Sequence, residues 1–80
     1  MRVQTEARFF FSVRFRDRLL PDREGVQLGA GTDLDVCARY LADRLAGDPG
    51  LAGVRLDGCA VEVSDARGDV LIIAFLPSGA

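Results

Sequence analysis

From Phe9 the chain alternates, with Phe9, Phe11, Val13 and Phe15 on one side and Phe10, Ser12, Arg14 and Arg16 on the other. A period of two is the mark of a half-buried strand. The first set is expected in the core, and Phe10 is the one aromatic left beside Arg14. Arg16-Asp17-Arg18 is a turn, and a short strand follows near Leu19-Leu20. Pro21 places that strand at an edge, because proline cannot donate to a ladder. In Asp22-Arg23-Glu24-Gly25 the carboxylate can accept from nearby backbone N–H groups while Gly25 is free to take positive φ. Asp22 and Gly25 are therefore structural turn residues, and Val26-Gln27-Leu28 continues extended.

The period then changes. Leu34, Cys37, Ala38, Leu41 and Leu45 form a narrow apolar stripe at helical spacing. Thr32 is the expected N-cap, with Asp35 three residues on as its capping-box partner. Asp33 and Asp35 suit the positive end of the helix dipole. Gly47 ends the helix, Asp48-Pro49-Gly50 prevents its restart, and Val36 and Tyr40 lie on the outer face. In the last third, Ala66-Arg67-Gly68 fits a three-residue hairpin loop with Gly68 in the left-handed position. Pairing outward from Asp65 and Asp69 sets Val63 opposite Leu71, Val61 opposite Ile73, and Cys59 opposite Phe75 as the core face. The other face then holds Ser64, Val70, Glu62, Ile72, Ala60 and Ala74.

The expected fold is α+β: strand, strand, helix, strand, strand, with two hairpins in one antiparallel sheet and one helix on one face. Residues 1–7 form an N-terminal tail, 8–77 the single domain, and 78–80 a C-terminal tail. One narrow helical stripe covers only one sheet face. Phe10, Val70, Ile72 and Ala74, with Ala60, are thus left as an apolar group rimmed by Arg14 and Glu62, the expected interaction surface. Arg14 and Glu62 can pair across a two-fold axis, and Ile72→Glu is expected to give folded monomers. Eighty residues bury only roughly 60–65% of the unfolded surface. That size favours a homodimer as a second source of burial.

Composition narrows the chemistry. The chain contains no histidine, lysine or tryptophan. General acid–base work most often uses His, and a Ser or Cys nucleophile would lack an imidazole partner. Cys37 and Cys59 fall on core positions, which suits inert small hydrophobes, and they cannot close a zinc site alone. Asp65 and Asp69 flank a turn and are read as solvated acids. Arg67-Gly68-Asp69, a match to an integrin-recognition tripeptide, is read as the turn itself. No enzyme, metal or cofactor is expected. Two cysteines do not make a secreted disulfide framework, and residues 1–8 hold no signal-like apolar stretch. The longest apolar run is Val70 to Leu76, too short for a membrane span. A cytoplasmic location with no membrane partner is expected. Charge is uneven: six Arg against three acids in residues 1–23, and four Arg against nine acids in residues 24–80.

The succession FFFSV, PDREGVQL, a helix with small residues, and LDGCAVEVSDARGDVLIIAF resembles an uncharacterised family of short bacterial proteins. That family carries an aromatic triplet, an Asp-x-x-Gly turn and a closing hairpin. The resemblance spans Phe9 to Phe75 and implies a fold and a bacterial origin, with no activity. The chain departs from the family pattern at Ser12, where His is common, and in the first turn, where Gly is common. A coarser likeness over residues 9–46 is to HicB-type antitoxins, which block an RNase.

The leading expectation is a small adaptor or regulatory module that binds itself and another protein. The alternatives are a HicB-like antitoxin module and an RNA binder using the N-terminal arginines and Phe10, Val13 and Phe15. The aromatic that an RNA-recognition strand needs at Ser12 is missing.

Overall fold

A computed structural model describes residues 6–51, 53 and 55–77; of the expected tails, 1–7 and 78–80, residues 1–5 and 78–80 lie outside these. The elements are β1 (Ala7–Phe15), β2 (Arg18–Leu20), β3 (Val26–Leu28), α1 (Leu34–Ala46), a 3₁₀ turn (Pro49–Leu51), β4 (Cys59–Ser64) and β5 (Val70–Phe75). All strands join one antiparallel sheet in the order β2-β1-β4-β5, with β3 also on β1. The α+β expectation holds, and Val26–Leu28 is a true third strand. Phe15 pairs with Arg18 across a tight turn in which Arg16 takes φ +59. Glycine would occupy that conformation without strain.

The helix begins one residue later than the sequence reading. Asp33, rather than Thr32, is the N-cap, its carboxylate accepting from Val36 N–H at 3.2 Å. Asp35 therefore makes no capping box, and it pairs instead with Arg39 one turn on. Thr32 N–H donates to Gly29 O, in the turn before the helix. The helix ends at Gly47, as expected. Its buried residues are Ala38 and Ala42, which are fully or almost fully covered. Leu34, Leu41 and Leu45 pack at the margins of the same cluster, and Cys37 is only half-buried.

Small helix residues let α1 lie close on β4 and β5. Val61, Val63 and Cys59 fill the floor, joined by Ala74 and Leu76, with Phe9, Phe11, Phe15 and Ile72 packed around them. Phe9, Phe11, Phe15 and Cys59 thus fall where alternation places them.

The closing hairpin keeps its expected turn and loses its expected register. Asp65 N–H donates to Asp69 O, Gly68 takes φ +90, and Ser64 faces Val70. Between Ser64 and Val63 the pairing shifts by one residue. Leu71 is left without a partner, and Val63 faces Ile72, Val61 faces Ala74, and Ala60 faces Phe75. A one-residue bulge turns every later side chain to the opposite face. Ile72 and Ala74, expected on the open face, are core; Leu71, Ile73 and Phe75, expected in the core, are exposed. Packing explains the choice, because Ala74 fits beneath Ala38 and Ala42 where a phenylalanine ring would push the helix off the sheet.

This register reverses the expected outcome at Ile72. Ile72→Glu should destabilise the fold by at least about 3 kcal/mol in urea denaturation, since it removes a packed side chain and brings a charge to the core. A folded, wild-type-stable Ile72→Glu variant would mean that β5 runs in the unbulged register.

Candidate interaction surface

The uncovered face of the sheet is built in rows set by the register. Arg14 lies between Leu19 and Ala60, and Ala60 faces Phe75; Ser12 faces Glu62, which faces Ile73; Phe10 faces Ser64, which faces Val70. Of the six residues expected to make the interaction surface, Phe10, Arg14, Glu62 and Val70 are brought to this face, and Ile72 and Ala74 are not. Leu71, Ile73 and Phe75 take their place. No glycine or proline in the strand announces the bulge, so alternation alone missed them. The helix carried the available signal, because its Ala38 and Ala42 demand a small residue opposite.

The two halves of the face differ. At the β1 end, the loop Pro21 to Gly25 folds against the strand and uses its polar and aromatic groups. Ser12 is only 9% exposed, its Oγ accepting from Asp22 N–H at 3.1 Å. The Phe10 ring lies so close over Gly25 that a Cβ there would sit 2.8 Å from it. Arg14 Nε donates to Glu62 Oε2 within the chain, and that hydrogen bond, then the charge itself, pushes the guanidinium pKa further up. The ion pair expected across a two-fold axis is therefore internal. Arg8 is likewise engaged, donating to Glu24 O at 2.8 Å and to Gln27 Oε1 at 3.1 Å. At the β5 end nothing in the described chain covers the side chains. Ala60 is buried at the floor, while Leu71, Ile73 and Phe75 stand 46%, 52% and 70% exposed, with Val70 also open.

Asp22 organises the β1 end. The β2 pairing stops at Val13 and the β3 pairing begins at Phe9, on the same edge of β1. In an antiparallel ladder every second N–H points to the same side, so Phe11 N–H faces this gap. Asp22 Oδ2 accepts from Phe11 N–H at 3.0 Å, and Oδ1 accepts from Gly25 N–H at 3.0 Å and Glu24 N–H at 3.1 Å. One carboxylate thus substitutes for the missing ladder partner and closes the turn. The bond from Gly25, then that from Phe11, holds its carboxyl below the ordinary 3.8, with Glu24 N–H and the Arg8 charge adding and partial burial opposing. Gly25 takes φ +71, and a Cβ there would meet Phe9 O as well as the Phe10 ring at 2.8 Å.

The other turn acids are also employed locally. Asp65 Oδ1 accepts from Arg67 N–H and Asp69 N–H, and Arg67 pairs with Asp69 at 3.0 Å. Among the described residues no group of three or more His, Cys, Asp or Glu is placed to hold a metal ion. No helix among them is long and apolar enough to cross a membrane.

The chain belongs to the family described as Domain of unknown function (DUF6894), whose pattern matches residues 8–77. No curated protein and no solved structure matches it.

Two outcomes follow for the Asp22 turn. Gly25→Ala should cost about 3 kcal/mol, combining left-handed strain with a backbone clash. Gly68→Ala, at φ +90 but with open space around it, should cost only about 1 kcal/mol. Equal shifts in urea midpoint would refute the close approach at Gly25.

The Asp22 carboxyl is depressed in the folded state, so its contribution is present above the unfolded value near 3.8. It is lost as pH falls through the lower folded value. Asp22→Asn should be clearly less stable than wild type at about pH 7, and the gap should narrow by about pH 3. A gap independent of pH would show that the charge contributes nothing.

Proposed function

We propose that the domain is a small protein-interaction module, adaptor or regulatory in role, that performs no catalysis and associates with itself. The observation that carries this reading is the contiguous apolar group Leu71, Ile73 and Phe75, exposed on and beside an edge strand. Scattered apolar residues on a surface need no explanation, but a contiguous group rimmed by charge is the usual form of an association surface. Its rim is Arg14 and Glu62 on the sheet and Asp35, Arg39 and Asp43 on the helix. The internal engagement of Arg8 and Arg14 favours a protein partner over nucleic acid, since the β1 arginines do not form an open basic track.

Light scattering of the purified chain over a concentration series tests this. The expected mass is twice that of the chain, and Ile73→Glu should give a folded monomer with the wild-type circular dichroism spectrum. A wild-type protein that stays monomeric throughout would overturn the reading.

A further inference from the structure

The turn that leads into β4 has no part in the association just described. We propose that its Asp57-Gly58 pair is a site of spontaneous covalent modification, where the chain forms a succinimide and then isoaspartate, and that Arg16 assists the step. This holds whether or not two copies associate.

Asp57-Gly58 is the one Asp-Gly pair in the sequence. Leu56 to Cys59 form a turn closed by Cys59 N–H donating to Leu56 O at 3.0 Å, and Gly58 takes φ +77 within it. Glycine suits that conformation, and without a side chain it leaves its nitrogen open to the preceding carboxyl. Both residues are exposed, and none of the described hydrogen bonds uses Gly58 N–H. The other aspartates are placed differently. Asp22, Asp33, Asp48 and Asp65 commit their carboxylates to backbone N–H groups. Asp17, Asp35, Asp43 and Asp69 each precede a residue with a bulky side chain.

In the step, the Gly58 nitrogen gives its proton to a solvent base and bonds to Asp57 Cγ. A Cγ–O bond breaks and that oxygen leaves as water, so the carboxyl is attacked in its protonated form. Water then reopens the ring. Cleavage of the bond from nitrogen to Cγ restores aspartate. Cleavage of the bond from nitrogen to the Asp57 carbonyl carbon leaves the main chain running through the side chain, as isoaspartate.

Arg16 sits where charge develops. Loss of the Gly58 proton spreads negative charge over the peptide unit onto Asp57 O, and Arg16 Nε donates to that oxygen at 3.2 Å. A donor already aimed at a developing anion lowers the barrier. The Arg16 stem runs beside Gly58, its Cγ 3.7 Å from where a Cβ there would lie, which holds the guanidinium over this peptide. Arg55 pairs with the Asp57 carboxylate at 2.6 Å, but the pair is exposed. Exposed pairs are worth little, so the carboxyl stays open to protonation. The product adds a methylene to the main chain just before Cys59, which is buried in the core.

Warm incubation of the full chain at mildly acidic pH tests this, with isoaspartyl methyltransferase labelling and peptide mapping by mass spectrometry over several weeks. Isoaspartate should build up at position 57 and at no other aspartate. Asp57→Glu, which would need a larger ring, should abolish the label. Arg16→Met keeps the stem and should slow accumulation on the order of tenfold, the effect of one hydrogen bond to a charged group. Equal rates in wild type and Arg16→Met, with matching circular dichroism spectra, would overturn the part given to Arg16 while leaving the site. Label no higher at position 57 than at Asp65 would overturn the site itself.

Discussion

The hydrogen bond from Phe11 N–H to the Asp22 carboxylate is the constraint on which the rest of the sheet's layout depends. Without it the central strand would present an orphan donor between β2 and β3, and a partly buried donor without a partner costs about 1–3 kcal/mol. With it, the chain can leave the ladder at Pro21, turn through Gly25 and rejoin as β3, all on one edge of β1. The same carboxylate closes the turn through Glu24 and Gly25 N–H, so a single side chain performs both tasks. The loop it holds occupies Ser12 and the Phe10 ring, which moves the open apolar surface to the β5 side.

That placement separates an edge closed by short strands, proline and charge from a more open one that carries the bulge at Leu71. The β1 edge is closed by its own short strands, its proline and its charges. The β5 edge carries the most apolar strand in the chain, with Ile73 and Phe75 more than half exposed. Helix α1 covers the opposite face through Ala38 and Ala42 and brings an alternating charge stripe alongside that edge. Protected and open edges in one sheet give association a direction, which a uniformly open sheet would lack.

Much of this was legible in the residues and some was not. Alternation from Phe9 to Phe15, the Asp22 and Gly25 turn, the helix end at Gly47 and the Asp65 to Asp69 loop are local features, and local chemistry identified them. The reach of Asp22 to Phe11 N–H is a contact across eleven positions, and no local pattern encodes it. Thr32 and Asp33 are adjacent and both good caps, so propensity could not choose between them. The register of β5 failed for a different reason. The turn was read correctly, yet one unpaired residue, Leu71, moved Ile72 and Ala74 inward. Tertiary packing against two helical alanines outweighed simple pairing from the turn.

The central claim is that the proposed self-association uses the apolar β5 side, because the β1 edge is closed by its own short strands, proline and charges. A dimer mixed from isotope-labelled and unlabelled chains, analysed by NMR for contacts between the two, tests it most directly. Intermolecular proton contacts between Leu71, Ile73 and Phe75 of the two copies, and none along β2 or β3, are the predicted result. Contacts confined to the β1 edge, or no contacts between copies at all, would contradict it.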